Sequence, residues 1–442
     1  MKKTLLTLLA LLLLGAAAAF WWRGNVAATA STAQTDIALR IHGSNTVGEN
    51  LMPTLVTAFL EQQGYALIRT EVGASPVEKT IHARVHPSKP DLRIEIHAHG
   101  STTAFEDLDT GSADLGMSSR RIKAEEVEKL KERFGDLTDP KQEHVIALDA
   151  LAIIVPPQHP LDKLTIEQIA RIFAGDIQDW AELGLAAGPI SLYSRDDKSG
   201  TYDTFKELVL KKFDKKLRSD ARRFESSEAL TDAVLADPNG IGFVGVAYAA
   251  RAKLIAVSAD GVKAFTRPAK HNIGTESYAL SRRLYVYEPA NHGHALLSNF
   301  LRFAGSDAGQ RLVDAIGLIS YYPTRDKPRI ALQPFPARYQ SLGTLGERLS
   351  VNFVSENAQL VLDSKTERDL ARVANFFRDH PDKRLVLAEF AAHRQPVGSS
   401  AAVQQLEQKL AEHSLALYDR VTVDHGPDSF DAMVGQIEIW AL

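Results

Sequence analysis

A chain of 442 residues is long enough for two or three compact units, each with a core of its own. A formal net charge of −4, without any long basic tract, speaks against a nucleic-acid partner. Cysteine is absent, which excludes disulfides, thiol catalysis and thiolate metal sites and leaves the redox compartment open.

The chain opens with a leader over residues 1–30. Lys2 and Lys3 precede an apolar run over 5–14, then alanines over 16–19, then Phe20, Trp21 and Trp22. This reads as a secretory signal, with small residues suited to signal peptidase at Ala17 and Ala19 or at Ala28 and Ala30. The run is also nearly long enough to span a bilayer and ends in interface-seeking tryptophans, so the segment is either cleaved or kept as a membrane anchor. Both outcomes place the rest of the chain beyond the cytoplasmic membrane, in the periplasm. No lipobox cysteine is present, which excludes a lipoprotein.

From residue 37 to 322, strand-like and helix-like stretches alternate, which predicts α/β layering around a largely parallel sheet. The run VIALDALAIIV over 145–155 predicts a buried strand, and 253–257 a shorter one. Between them lies a self-contained block with its own helix (Ile166, Ile169, Ile172, Phe173) and strand (241–244). One block inserted into another predicts two lobes around a cleft that closes by a hinge. Lobe one is 37–148 with 258–323; lobe two is 149–257. Residues 324–345, with several prolines, read as a linker. A small α+β module of βαβ type is expected over 346–442. Leu349, Val351 and Phe353 alternate as a strand. Ser364 and Glu367 form a capping box, and Leu370, Val373, Ala374 and Phe377 a helical face.

Four strand-to-helix turns carry hydroxyls. Ser199, Gly200 and Thr201 follow a short apolar strand and Arg195, and precede a helical face beginning at Tyr202 and Phe205. Ser44, Asn45 and Thr46 precede a second helix, and Ser101 and Thr102 a third. Ser119, after Ala113-Asp114-Leu115-Gly116-Met117-Ser118, precedes a fourth. At each helix start the first amides lack partners and the backbone dipoles leave positive potential. One such turn is an ordinary cap; four that converge would make an anion cage, with Arg195 as a cationic fork.

The segments GSNTVGENLMPTLVTAF, HGSTTAFEDLDTGSADLGMSSR, LTIEQIARIFAGDIQDW, SRDDKSGTYDTF and PNGIGFV resemble, in this order, the periplasmic phosphate-binding proteins of ABC importers. The resemblance spans about residues 37–323. It implies a two-lobed venus-flytrap fold binding phosphate, with no cofactor, no catalytic residue, no metal, and an ABC permease as partner. It implies anion contacts from Asn45, Thr46, Ser101, Thr102, Arg195, Ser199, Gly200 and Thr201, to which the hydroxyl-bearing turns add Ser44 and Ser119. It also implies that Asp114 accepts the proton of phosphate, which would reject sulfate. The long polar loop over 74–91 departs from the family pattern. Arg120 is a second arginine that either reaches the anion or pairs with Asp114. Molybdate and tungstate therefore stay open as ligands.

Residues 342–442 resemble the OmpA-like peptidoglycan-binding module, carried by LSVNFVSENAQLVLDSKTERDLARVANFFRDHPDKRLVLAEF. Its peptide-binding pair is an aspartate after the second strand and an arginine on the second helix. Here alanine (Ala392) stands at the first position, and 404–410 contain no arginine. The resemblance implies a retained fold with wall binding weak or lost.

Three rival readings bear on function. His82, His86, His97 and His99 have spacings that could gather imidazoles for a metal, against the plainer reading of a solvated loop. A hydrolase is disfavoured because no Gly-x-Ser-x-Gly occurs and no histidine flanks Ser199. A membrane-anchored envelope sensor or scaffold for phosphate or another oxyanion would use the same cage without a permease.

Overall fold

The protein is described from a computed structural model covering residues 37–87, 92–139, 141–259, 265–290, 295–328, 334–362, 364–391, 400–424 and 433–442. The leader and Ala392 lie outside the described residues. Among the described residues no helix is long and apolar enough to cross a membrane.

Lobe one begins with β1 (Ile37–Gly43), α1 (Asn45–Gly48), α2 (Leu51–Gln62), β2 (Leu67–Val72), β3 (Glu78–Arg84) and β4 (Leu92–His97). It continues with α3 (Ser101–Thr110), β5 (Leu115–Ser118) and α4 (Ala124–Phe134). The 13-residue β6 (Glu143–Val155) then crosses into lobe two. There follow β7 (Lys163–Thr165), α5 (Ile166–Ala174), β8 (Ser191–Arg195), α6 (Gly200–Phe205), β9 (Arg222–Phe224), α7 (Ser227–Leu235), β10 (Gly240–Gly245), β11 (Lys253–Leu254), β12 (Ala256–Ser258) and α8 (Lys270–Gly274). The chain returns to lobe one through β13 (Ser281–Tyr287), α9 (Ala295–Ala304) and α10 (Asp307–Ala315).

One eleven-stranded sheet runs through both lobes, in the order β2-β3-β4-β1-β5-β13-β6-β10-β8-β9, with β11 on β6. β6 holds it together. Its first half pairs with β13 in lobe one and its second half with β10 in lobe two, the change falling between Ala150 and Leu151. β1, β4 and β5 are mutually parallel, and so are β10, β8 and β9. β13 is antiparallel to β5 and to β6, and β10 is antiparallel to β6. The two parallel groups therefore run in opposite directions and point their carboxyl ends at each other across the crossing. Ligands of α/β sheets sit beyond such strand ends, so the turns after β1, β4, β5 and β8 all face one cleft.

Each lobe has a separate core. Leu51, Met52, Leu55, Val56 and Phe59 of α2 pack on Ile41, Ile96 and Met117. In lobe two, Ile169, Ile172 and Phe173 pack on Phe205 and Phe243. Ile273, Tyr278 and Leu280 belong to this second core. Lobe two thus extends to about residue 280, and the boundary expected at 258 moves to the start of β13. Residues 278–280 form a turn preceding β13.

The third unit has a six-stranded sheet, β14-β15-β19-β17-β18 with β16 on β15. These are β14 (Arg325–Asp326), β15 (Glu347–Glu356), β16 (Gln359–Leu360), β17 (Leu385–Phe390), β18 (Leu417–Val423) and β19 (Gln436–Ala441). Its helices are α11 (Ala337–Leu345), α12 (Ser364–Asp379) and α13 (Ala401–Glu412). α11 falls inside the stretch expected to be a linker. Tyr339 and Leu342 bury against Phe390 and Trp440, and the Tyr339 hydroxyl donates to Glu438 at 2.7 Å. Neighbouring prolines hid this short apolar pattern. The unit docks on the two-lobed domain through Tyr322 Oη to Asp379 at 2.6 Å and Arg368 to Glu143 at 3.6 Å.

Candidate functional site

β1 ends at Gly43, whose φ of 133° disfavours any side chain, and a Cβ there would stand 2.1 Å from the Met117 carbonyl. That close approach brings the β1 and β5 turns together. Asn45 then spans the cleft: its amide donates to the Ala98 carbonyl, and its Oδ1 accepts from Arg195 Nη2 at 2.9 Å. Ser101, at the start of α3, accepts the Ser119 amide at 2.9 Å and lies 3.3 Å from the Ser119 hydroxyl. From lobe two, Ser199 caps α6 by accepting the Thr201 amide at 3.2 Å. Thr201 Oγ1 is 3.2 Å from Thr46 Oγ1. A Cβ on Gly200 would stand 2.0 Å from Ser101 Oγ and 2.6 Å from Ser119 Oγ. Ser44, Asn45, Thr46, Ser101, Ser119, Arg195, Ser199, Gly200 and Thr201 therefore meet in one buried cluster drawn from both lobes. The Ser44 hydroxyl is buried with no hydrogen-bond partner.

Two guanidinium groups set the electrostatics. Arg195 is fully buried. Its four hydrogen-bonded N–H groups go to neutral acceptors: the Phe224 and Glu225 carbonyls, Ser227 Oγ and Asn45 Oδ1. Burial pushes its pKa down, against the opposing pull of the Glu49 and Asp196 carboxylates. Arg282 was not expected from the sequence. It donates to Asp149 Oδ2 at 2.6 and 2.9 Å, and also reaches Thr201 Oγ1 at 2.8 Å and Thr46 Oγ1 at 3.2 Å. Asp149 and Arg282 are register partners where β6 crosses between the lobes. A guanidinium with no carboxylate bonded to it, several hydroxyls and the amides of helix starts are a set suited to a tetrahedral oxyanion.

Asp114 is not part of the cluster. It precedes β5, whereas Ser119 follows it, and the four strand residues between them make five steps of extended chain, about 16 Å. Its carboxylate pairs with Arg40, with Oδ1 at 2.6 Å from Nη2 and Oδ2 accepting the Arg40 amide at 2.8 Å. Arg120 pairs instead with Glu126 at 2.6 Å and Asp203 at 2.9 Å, and so reaches neither Asp114 nor the cluster. Thr102 is only half-buried, and its amide contacts the Lys198 carbonyl at 3.4 Å. Asp114→Asn is expected to leave anion affinity and selectivity within about twofold of wild type, because a substitution this far from the site is additive with it. A loss of discrimination between phosphate and sulfate by calorimetry would return Asp114 to the site.

The four histidines singled out by spacing do not gather. His82 lies 3.2 Å from Glu71, and His86 is exposed. His97 stacks on His42, and His99 bridges Glu78 and Glu225 at 2.9 Å each.

A family model described as the PBP superfamily domain matches residues 70–308, just over half of the chain. The chain belongs to the PBP superfamily. The phosphate-binding protein PstS of Pseudomonas aeruginosa is 34% identical over 246 residues, which cover 52% of this chain and 75% of that protein. PstS of Borreliella burgdorferi is 26% identical over 250 residues, 55% of this chain and 86% of that protein. An ABC-type phosphate transport receptor from Vibrio cholerae superposes with a TM-score of 0.47 at 23% identity, over 64% of this chain and 99% of that one.

Two titratable groups strap the lobes of this PBP domain together. Glu49 of lobe one accepts the Ser227 amide at the start of α7 in lobe two, and its Oε1 is buried without a partner. Burial pushes its carboxyl up to about 6 from 4.5, against the opposing pull of Arg195. The native state thus holds this proton more tightly than the unfolded chain. The associated stability is full below pH 4.5 and is lost as pH rises through 6. His99 of lobe one touches Glu225 of lobe two; burial opposes protonation, but the two carboxylates outweigh it and raise the pKa. Both groups favour closed lobes at mildly acidic pH. Glu49→Gln is expected to stabilise the protein by up to about 2 kcal/mol at pH 7.5 and by little at pH 4.5. Equal shifts in thermal midpoint at both pH values would contradict the assignment.

Proposed function

We infer that the chain is a non-catalytic solute-binding protein that closes its two lobes on phosphate for ABC-type uptake. The observation that carries this is Arg195, a cation buried between the lobes whose hydrogen-bond partners are all neutral. Glu49 acts on this cation without hydrogen-bonding to it. A buried charge with no carboxylate in direct contact is unfavourable, and a bound oxyanion would supply that contact. The hydroxyls of Ser44, Thr46, Ser101, Ser119 and Thr201 and the free amides of the helix starts would then turn to its oxygens. Similarity to proteins named as phosphate-binding makes phosphate the favoured ligand. The Asp149 carboxylate is already engaged by Arg282 and by the Val246 amide, so it is no ready acceptor for the phosphate proton. With Asp114 remote as well, any discrimination against sulfate would have to come from other groups. Among the described residues no histidine touches Ser101, Ser119 or Ser199, which fits binding rather than turnover.

The leader over 1–30 would export the protein to the periplasm, cleaved or as an anchor, and a permease would be the partner for import. We read the third unit as OmpA-like; its sheet, with β17 and β18 parallel around α13 and β19 antiparallel between β15 and β17, supports that reading. Its weak or absent wall binding rests on residues 392 and 404–410. Calorimetric titration with phosphate, sulfate and molybdate tests the proposal. One saturable phosphate site per chain is expected; heat from none of the three anions would overturn it.

A further inference from the structure

The polar face of the lobe-one sheet holds a second constellation that anion binding does not use. Side chains alternate along a strand, so Leu39 and Ile41 of β1 enter the core while His42 points to the opposite face. On β4, Ile94 and Ile96 are buried in the same core, and Glu95 and His97 share the face of His42. β1 and β4 are parallel neighbours with His42 opposite His97. The ligand-capable atoms of His42, Glu95 and His97 all lie within 4.8 Å of one another.

His42 is 95% buried, and its two ring nitrogens have different fates. Nδ1 lies 2.8 Å from Asp107 Oδ2 on α3. A carboxylate there can only accept, so Nδ1 carries the proton and Nε2 presents a lone pair. Nε2 is buried with no hydrogen-bond partner. Such an orphan in a native fold needs an explanation. A carboxylate that fixes the tautomer of one imidazole and leaves its second nitrogen unpartnered is the arrangement of a metal-bound histidine with its outer-shell partner. His97 is stacked on the His42 ring at 4.3 Å between centroids and must turn out of that stack to share an ion with it.

We propose that His42 Nε2, His97 and Glu95 form a binding site for a divalent transition metal of the zinc type, with Asp107 as the positioning residue behind His42. Two imidazoles and one carboxylate are a borderline-soft set, unsuited to magnesium or calcium, and water would complete a tetrahedron. Ligand atoms about 2.0–2.1 Å from a tetrahedral ion stand roughly 3.4 Å apart. The half-buried His97 and Glu95 have room to close that gap, although Arg93, 3.6 Å from Glu95, must yield part of its contact. The site lies directly behind two anion-site turns: His42 precedes Gly43–Asn45, and His97 precedes Ala98–Ser101. It stands independently of the phosphate assignment.

The test is zinc loading of the purified untagged protein, followed by dialysis and metal analysis, with cobalt(II) as the spectroscopic probe. Wild type is expected to retain about one ion per chain and to show the visible absorption of four-coordinate cobalt. His97→Ala and Glu95→Gln are expected to lose retained zinc and that absorption. Asp107→Asn should weaken binding by roughly ten- to a hundredfold while leaving the ligands in place. A wild type that retains no ion overturns the proposal. So does a folded His97→Ala or Glu95→Gln protein that retains zinc as wild type does; if one variant fails to fold, the other decides.

Discussion

Arg195→Ala is expected to abolish phosphate binding at physiological concentrations. Removing one partner of a buried charged pair costs about 3–5 kcal/mol, which is roughly a hundred- to several-thousandfold in Kd. Loss from two sources reinforces that figure. The anion would lose its main counter-charge. Asn45 Oδ1 would also lose the donor that carries it across the cleft, since Arg195 Nη2 is 2.9 Å away. Arg195→Lys keeps the charge but not the fork that serves Phe224, Glu225, Ser227 and Asn45 together, and should fall between alanine and wild type. Calorimetric affinity for phosphate is the measurement. An alanine variant within tenfold of wild type would remove Arg195 from the site.

Gly200→Ala should have an effect nearly as large, for a different reason. The new methyl group would stand 2.0 Å from Ser101 Oγ and 2.6 Å from Ser119 Oγ, both in the opposite lobe. Contacts that short are forbidden, and both serines are fully buried with little room to retreat. The helix itself gains, because Gly200 is outside the left-handed region and alanine is better than glycine in a helix by roughly 0.5–1 kcal/mol. Lobe two should therefore keep or gain stability while closure is blocked. Phosphate affinity is expected to fall at least about tenfold, and the radius of gyration should fail to contract on adding phosphate. Wild-type affinity together with normal contraction would contradict the closed geometry.

Much of this architecture was legible because local chemistry and the global fold agree. Apolar spacing located α2, α4 and α5, and the unbroken run over 145–155 located the crossing strand. The hydroxyl-bearing turns were visible as turns, since glycines and serines between a strand and an apolar helical face have few other uses. Their convergence follows from strand direction, which no single turn encodes. Asp114 was misread for the same reason: Ala113–Ser119 shows a carboxylate near a serine turn, but not that β5 lies between them. The sequence does carry a signal for Arg282 and Asp149. A lone aspartate inside an eleven-residue apolar run demands a buried cation, and Arg282 is its partner at 2.6 Å. The metal constellation needed pairing information, because His42 and His97 are 55 residues apart in sequence and neighbours only through the parallel register of β1 with β4.

The central claim is that helix starts from two opposed lobes share one oxyanion, and a crystal structure of the protein with phosphate tests it most directly. The account predicts a tetrahedral anion within hydrogen-bond distance of Thr46 and Ser101 on one side and of Arg195, Gly200 and Thr201 on the other. Phosphate seated elsewhere, or held by one lobe alone with Arg195 turned away, would contradict it.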